Sequence, residues 1–158
     1  MEKIASFQID HTRLQPGLYI SRTDGDVVTY DLRFVKPNTP PYLETDAMHT
    51  IEHLFATYVR SSRFGRGILY FGPMGCRTGF YLLTRTGDHP DAVLPADLIA
   101  LVLDTLCFIA AFEGEIPGAS AAECGNWREH NLPLAREYAR CYAQVLQGYT
   151  PEQMQYPV

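Results

Sequence analysis

The sequence has 158 residues, of which 46% are hydrophobic and 20% charged, values typical of a folded globular protein. Its formal net charge is −5 and no run of Lys or Arg occurs, so binding to nucleic acid or to an anionic membrane surface is disfavoured. The longest apolar stretch, residues 98–112, is interrupted by Asp104 and is too short to span a bilayer. Since the N-terminus also lacks a signal-peptide pattern, we expect one cytoplasmic domain over residues 1–158.

The predicted elements mix strands and helices along the chain. Segments with the composition of strands, flanked by turn residues, are residues 18–21, 27–34, 68–71 and 78–84. Segments with apolar residues at helical spacing are residues 47–63, 94–112 and 132–147. Asp46 and Asn131 precede the first and last helix and could cap them. Because strands and helices do not alternate strictly, the order predicts an α+β fold with helices packed on one face of an antiparallel sheet.

The four cysteines fall into two groups. Cys107 and Cys141 lie within apolar helical patterns, and we expect both to be buried as small hydrophobic side chains. Cys76 and Cys124 each neighbour a glycine in a loop-like segment. In a reducing compartment, such cysteines are better candidates for catalysis or metal binding than for disulfide bonds.

A histidine pair on the first predicted helix is the strongest chemical signal. His49 and His53 are four residues apart, so their imidazoles share one helix face and could bind one metal ion. Glu52 lies near the same edge and could move protons without being a ligand. Two incidental histidines on a solvated helix are the alternative, but an otherwise apolar helix makes uncompensated imidazoles costly.

A catalytic metal site normally has three protein ligands, so a further donor is needed. Cys124 is the best candidate, because the glycine that follows it lets the backbone turn tightly around an ion. A buried free thiol without a ligand role is the alternative for this residue. His130 is a competing third ligand, although it could instead pack near the last helix.

Cys76 lies in a glycine-rich turn between two predicted strands, beside Arg77. A neighbouring cation favours the reactive thiolate form of a cysteine, so Cys76 could act as a nucleophile, a general base or a fourth ligand. A turn thiol without a function is the alternative interpretation.

Taken together, these segments resemble the S-ribosylhomocysteine lyases, the LuxS family. The resemblance spans nearly the whole chain in the family's order: SFQIDHT at 6–12, DLRF at 31–34 with PN at 37–38, HTIEHL at 49–54, PMGCRTGF at 73–80 and CGN at 124–126. One departure lies before the glycine-rich turn, where Tyr70, Phe71 and Gly72 replace the family's usual Asp-x-Ser. This change leaves the candidate metal ligands in place and affects one wall of the expected pocket.

The resemblance implies a role for each matching residue. His49, His53 and Cys124 would be the metal ligands. Glu52 and Cys76 would be the acid/base pair. The implied substrate-binding residues, which the family takes from the neighbouring subunit of a homodimer, are Ser6, Phe7, His11 and Arg33. The implied fold is α+β, of the LuxS/metallohydrolase-like kind.

The implied reaction converts S-ribosylhomocysteine to homocysteine and 4,5-dihydroxy-2,3-pentanedione, the precursor of autoinducer-2. The sugar carbonyl would first migrate by two enolisations, and β-elimination would then release the thiol. One divalent metal per chain is implied, Fe²⁺, with Zn²⁺ or Co²⁺ as substitutes. Two other functions remain open: an inverted zincin in which Glu52 activates water for peptide hydrolysis, and a non-catalytic metal-binding module.

Overall fold

A computed structural model of the protein describes Glu2, Ile4 and residues 7–157. The strands of this part are β1 (Gly17–Asp24), β2 (Val27–Arg33), β3 (Ile68–Pro73) and β4 (Gly79–Arg85). The α-helices are α1 (Thr45–Ser61), α2 (Pro95–Ala111) and α3 (Leu132–Val145), and short 3₁₀ turns span Gly65–Gly67 and Pro151–Met154. Their order and bounds agree with the sequence prediction to within a few residues.

The four strands form one antiparallel sheet in the order β1-β2-β4-β3. Along β2, Val28, Tyr30 and Leu32 belong to the hydrophobic core, whereas Asp31 and Arg33 alternate with them and therefore lie on the opposite face. Asp31 is paired with Tyr81, and Arg33 with Gly79, on the neighbouring strand β4. This alternation places polar chemistry on one face of the sheet and the core on the other.

The three helices of the described chain cover the core face of the sheet, which confirms the predicted α+β arrangement. The buried face of α1 includes the apolar residues whose spacing predicted the helix, namely Met48, Ile51, Leu54, Phe55 and Val59. None of the helices in the described chain is long and apolar enough to cross a membrane.

The predicted caps have different outcomes. The Asn131 side chain accepts a hydrogen bond from the Leu134 amide, so it caps α3 as expected. The N-cap of α1 is Glu44 instead of Asp46, because the helix begins two residues earlier than predicted. Asp46 lies in the first turn, where its carboxylate accepts hydrogen bonds from the Ala47 amide and the Asn131 side chain.

The expected burial of Cys107 and Cys141 is wrong, since both thiols are exposed. Each follows or precedes a residue that faces the core: Leu106 in α2 and Tyr142 in α3 are buried. Adjacent residues on an α-helix point about 100° apart, so the neighbour of a core residue can face solvent even in an apolar segment.

Candidate metal centre and the adjoining cavity

Helix α1 places His49 and His53 one turn apart, with their ring centroids 4.6 Å from each other. The loop between α2 and α3 brings Cys124 Sγ to 3.3 Å from His49 Nε2. The donor atoms of His49, His53 and Cys124 all lie within 4.8 Å of one another, and each side chain is half-buried. The structure thus brings the three residues proposed from the sequence into one group.

The second nitrogen of each imidazole is fixed by the backbone of the same loop. His49 Nδ1 lies 2.7 Å from the Glu129 carbonyl oxygen, and His53 Nδ1 lies 2.7 Å from the Pro117 carbonyl oxygen. A carbonyl only accepts hydrogen bonds, so each Nδ1 carries the proton and donates. In the neutral ring the lone pair then lies on Nε2, which is the arrangement that metal-binding histidines adopt.

The separation between the Cys124 and His49 donor atoms suits a tetrahedral metal ion. Bonds of about 2.0 Å to nitrogen and about 2.3 Å to sulfur would place two donor atoms roughly 3.5 Å apart. The observed separation of 3.3 Å between Cys124 Sγ and His49 Nε2 is close to that value. Three protein donors also leave one coordination position for substrate or water, as in catalytic sites. The group could therefore hold a divalent metal.

The supporting loop has local features that keep it close to α1. Gly118 has a positive φ of 73°, and a Cβ there would approach His53 Nδ1 to 3.2 Å. Farther along, the Asn126 side-chain amide donates a hydrogen bond to the Glu129 carboxylate. The absence of a Cβ at Gly118 lets the loop approach the His53 ring, and the Asn126–Glu129 hydrogen bond lies within the segment that follows Cys124.

His130, the competing third ligand, lies beside the group but outside it. Its ring stacks on that of His49 at a centroid distance of 4.2 Å, and its Nδ1 lies 3.1 Å from Thr50 Oγ1. Burial, together with the neighbouring His49 and His53, lowers the pKa of His130 below its ordinary value of 6.5. Its buried Nε2 has no hydrogen-bond partner among the described residues. The group of donor atoms that lie within 4.8 Å of one another contains Cys124 and not His130, so the geometry favours Cys124 as the third donor.

Glu52 lies on the same helix face and lines a cavity of about 260 Å³. His49 borders this cavity from α1, and Met74, Gly75 and Arg77 border it from the loop between β3 and β4. The Glu52 carboxylate therefore faces a space next to the candidate metal centre, where it could exchange protons with a bound molecule.

A second cavity, of about 570 Å³, contains most of the other candidate residues. Phe7, His11, Arg33 and Cys76 all line it, and the loop of Met74 and Gly75 separates it from the space beside Glu52. Ser6, the remaining predicted substrate-binding residue, lies outside the described residues. The structure thus groups Cys76 with Arg33, whereas Glu52 shares a cavity with His49, one of the candidate metal ligands.

Asp31 and Thr78 were not singled out as site residues from the sequence, and both hold the Arg33 side chain at this second cavity. Arg33 donates to the Asp31 carboxylate from Nε at 3.1 Å and from Nη2 at 2.6 Å. Its Nη1 donates to Thr78 Oγ1 at 2.6 Å and lies 3.9 Å from Cys76 Sγ. Burial disfavours the Arg33 charge, but Asp31 outweighs this effect and raises the pKa of Arg33. The spacing of Asp31 and Arg33 on one strand face was a usable signal.

The departure at Tyr70 and Gly72 has a steric basis. Tyr70 is 50% exposed. Its ring lies over Gly72, so that a Cβ on Gly72 would come within 2.0 Å of the Tyr70 hydroxyl oxygen. The tyrosine therefore occupies the space that a serine side chain would need. Tyr70 borders a third cavity on the open face of the sheet, with Thr29, Tyr81 and Leu83.

Fold and site together define an α+β protein with a His₂Cys group that could hold a catalytic metal. The family model described as S-Ribosylhomocysteinase (LuxS) matches residues 4–152. The chain belongs to this family.

Curated relatives agree along nearly the full length of both chains. The S-ribosylhomocysteine lyase of Clostridium acetobutylicum is 45% identical over 162 aligned positions, covering 99% of each chain. That of Borreliella burgdorferi strain ZS7 is 46% identical, covering 99% of this chain and 100% of the relative. That of Porphyromonas gingivalis strain W83 is 47% identical, covering 99% of each. All three carry the same name, and the family resemblance seen in the sequence is confirmed.

Proposed function

We propose that this chain is an S-ribosylhomocysteine lyase that works at the His49–His53–Cys124 centre. One observation carries the proposal: the donor atoms of His49, His53 and Cys124 converge within 4.8 Å of one another, and Glu52 lines a cavity together with His49. Membership of the S-ribosylhomocysteinase family and the relatives' shared name support the substrate. The reaction cleaves a carbon–sulfur bond, giving homocysteine and 4,5-dihydroxy-2,3-pentanedione, the autoinducer-2 precursor.

The proposed cofactor is one divalent metal per chain, Fe²⁺, with Zn²⁺ or Co²⁺ as substitutes. When bound, such an ion would act as a Lewis acid toward the sugar oxygens. His₂Cys donors also suit zinc, which binds more tightly than ferrous iron at equal supply. Activity that is lost in air and restored by anaerobic Fe²⁺ would support iron. Full activity of the zinc form in the presence of a chelator of iron would contradict it.

Glu52 and Cys76 are the proposed proton carriers. As carboxylate and thiolate, they would remove and return protons on neighbouring sugar carbons, so that the carbonyl group moves along the carbon skeleton of the sugar. Removal of a proton next to that carbonyl then expels homocysteine by β-elimination. Thr78 Oγ1 lies 3.1 Å from Cys76 Sγ and could donate a hydrogen bond that stabilises the thiolate.

Substrate binding is proposed for Ser6, Phe7, His11 and Arg33. Phe7, His11 and Arg33 line the same cavity as Cys76, and Arg33 Nη1 is the nitrogen on the Cys76 side of the guanidinium. Phe7 is 69% exposed at the border of this cavity, an unusual position for a phenylalanine unless another molecule covers it.

We further propose a homodimer with two shared active sites. Cys76 and Arg33 line one cavity, whereas Glu52 and His49 line another across the Met74–Gly75 loop. A two-fold partner could bring Cys76 and Arg33 of one chain to Glu52 and His49 of the partner subunit. The open sheet face supports this proposal, because Ile4, Phe7 and Tyr70 are 58%, 69% and 50% exposed there or at its border.

Residues 1–158 are proposed to act as one metal-dependent lyase domain in the cytoplasm. The reducing thiol pool of that compartment would keep Cys76 and Cys124 as free thiols and prevent disulfide formation.

The test is release of free thiol from S-ribosylhomocysteine under anaerobic conditions. We expect turnover by the metal-loaded protein and its loss by a factor of at least 10²–10⁴, roughly, in Cys76→Ala. This variant should retain the metal and the fold, since Cys76 lies in an exposed loop. Cys107→Ala, which removes another exposed thiol, is the matched control and should remain active. Hydrolysis of unstructured peptides without thiol release would support the zincin alternative instead.

A further inference from the structure

An ion pair is buried beside the catalytic thiol. Asp31 and Arg33 are 0% and 2% exposed, and the Arg33 guanidinium contacts the Asp31 carboxylate through two nitrogens. A buried pair of this kind is sensitive to each further hydrogen bond, because few other groups stabilise its charges. The remaining partners of the two side chains therefore control where the guanidinium lies.

Among the described residues, the Asp31 carboxylate also accepts a side-chain hydrogen bond from the C-terminal segment. The Tyr156 hydroxyl donates to Asp31 Oδ2 at 2.8 Å, the same oxygen that accepts from Arg33 Nη2. The Tyr156 ring stacks on Tyr19 of β1, with centroids 5.1 Å apart and planes 22° apart. Burial, reinforced by Asp31, raises the pKa of Tyr156 well above its ordinary value of 10.0, so the phenol remains a donor near neutral pH.

The opposite side of the guanidinium faces the reactive thiol. Arg33 Nη1 donates to Thr78 Oγ1 at 2.6 Å and lies 3.9 Å from Cys76 Sγ, and Thr78 Oγ1 lies 3.1 Å from the same sulfur. The other titratable groups that line this cavity are His11, Tyr42 and Tyr81. A continuous set of contacts therefore runs from the C-terminal tyrosine to the cysteine.

We propose that Tyr156 is a positioning residue for Cys76, acting through Asp31 and Arg33. The proposal rests on the catalytic role proposed above for Cys76, but its test does not require lyase activity. Without the phenol, Asp31 Oδ2 loses a donor in a buried site, and the guanidinium is the group that can compensate. Arg33 is then drawn toward Asp31 and away from Thr78 and Cys76, so the thiolate loses part of its stabilisation.

The experiment measures alkylation of each cysteine by iodoacetamide as a function of pH. Full-length metal-loaded protein is used without substrate, and mass spectrometry resolves the individual thiols. In Tyr156→Phe we expect the Cys76 profile to move to higher pH, with a roughly three- to tenfold slower reaction at neutral pH. The exposed Cys107 and Cys141 serve as internal references and should react at unchanged rates.

Tyr149→Phe is the matched control. Tyr149 lies in the same C-terminal segment as Tyr156, and its hydroxyl forms hydrogen bonds with the backbone of Leu18 in β1 and of Gln153. No hydrogen bond to Asp31 is among those described for it. It should leave the Cys76 profile in place even if the thermal midpoint falls. A Tyr156→Phe protein that loses stability but keeps the wild-type Cys76 profile would show a structural role only and overturn the proposal.

A second variant tests the route. In an Arg33→Gln background, Tyr156→Phe should produce no further change in the Cys76 profile, because the group that carries the effect is gone. An undiminished shift in that background would overturn the action through Arg33. A shifted Cys76 profile in a protein that releases no thiol from S-ribosylhomocysteine would contradict the proposed function alone, while the positioning role would stand.

Discussion

At the scale of single residues, the proton positions on His49 and His53 determine what the centre can bind. Both Nδ1 atoms donate to backbone carbonyls, so both Nε2 atoms present lone pairs toward the Cys124 thiol. As metal ligands, two neutral imidazoles and a thiolate would carry one negative charge between them, which favours a divalent cation. The opposite tautomer, with an unprotonated Nδ1, would place two acceptors against each other at both carbonyls.

We expect one divalent metal per chain, lost in His49→Ala, His53→Ala or Cys124→Ala, because each removes one of three donors. Glu52→Gln should keep the metal, since Glu52 lies outside the donor group. His130→Ala is the informative control, because its ring stacks on His49 without joining the group. Metal analysis of the purified variants checks this. Full occupancy in Cys124→Ala, with loss in His130→Ala, would contradict the assignment of Cys124.

At the residue level, the sequence supplied candidates where helical spacing or a motif gave a direct signal, and the structure brings three of them, His49, His53 and Cys124, into one group. His49, His53 and Glu52 follow from their spacing, and Cys124 follows from a glycine-bordered loop. The contribution of Thr78 did not follow, because its contact with Arg33 joins residues 45 positions apart in the sequence. The open choice between Cys124 and His130 needed the loop path, which local pattern does not specify.

At the scale of secondary structure, periodicity located the helices better than it assigned their surfaces. The apolar spacing of α1 matches its buried face, and Asn131 caps α3 as predicted. The exposure of Cys107 and Cys141 depends on which side of α2 and α3 meets the core, and this is decided by packing between elements. Asn131 also donates to Asp46, so the start of α3 is joined to the first turn of α1.

Strand β3 provides a prediction at this scale. Gly72→Ser restores the residue usual in the family, but the Tyr70 ring must then move aside, since a Cβ at position 72 would lie 2.0 Å from its hydroxyl oxygen. Gly72 is not among the positive-φ residues of the described chain, so the backbone itself accepts a side chain. The cost should be at most about 1 kcal/mol, because the half-exposed Tyr70 can rotate outward.

The control for this prediction is the same substitution in a Tyr70→Ala background. Urea unfolding should show a smaller cost there, with a coupling of about 0.5 kcal/mol or more between the two positions. Equal costs of Gly72→Ser with and without the Tyr70 ring would mean that the two departures from the family pattern are independent.

At the scale of the whole molecule, buried phenols couple the fold to alkaline pH. Burial raises the pKa of Tyr30 to about 12 and holds that of the fully buried Tyr142 well above its ordinary value of 10.0. The unfolded chain loses these protons first as the pH rises past 10, so the native state then binds more protons than the unfolded state. Stability is therefore fully present below the unfolded pKa and falls as the pH rises above it.

Tyr142→Phe should make this alkaline loss of stability shallower. The variant keeps the ring that stacks on Phe34 and loses the hydrogen bond to the Gly17 carbonyl, at a cost of about 1 kcal/mol near neutral pH. Urea midpoints measured between pH 8 and pH 11, roughly, compare the two proteins across the unfolded tyrosine titration. Parallel curves would mean that Tyr142 does not contribute to the pH dependence.

The proposed shared site leads to a prediction about whole dimers. His49→Ala and Arg33→Ala should each be inactive as homodimers, because every site then lacks either a metal donor or the guanidinium. In a mixed dimer with shared sites, one site inherits both defects and the other inherits neither. Random exchange makes about half of the dimers mixed, so activity should recover to about one quarter of wild type.

The grouping of residues in the structure provides the control for this experiment. Cys76 Sγ lies 3.9 Å from Arg33 Nη1, so in the proposed dimer both would belong to the same half of a site, whereas Glu52 and His49, which line one cavity, would belong to the other half. Mixing Cys76→Ala with His49→Ala should therefore restore about one quarter of the activity, and mixing Cys76→Ala with Arg33→Ala should restore none. Subunit exchange is verified by native mass spectrometry. If neither pair containing His49→Ala recovers after verified exchange, each site is built within one chain and the shared-site proposal is wrong.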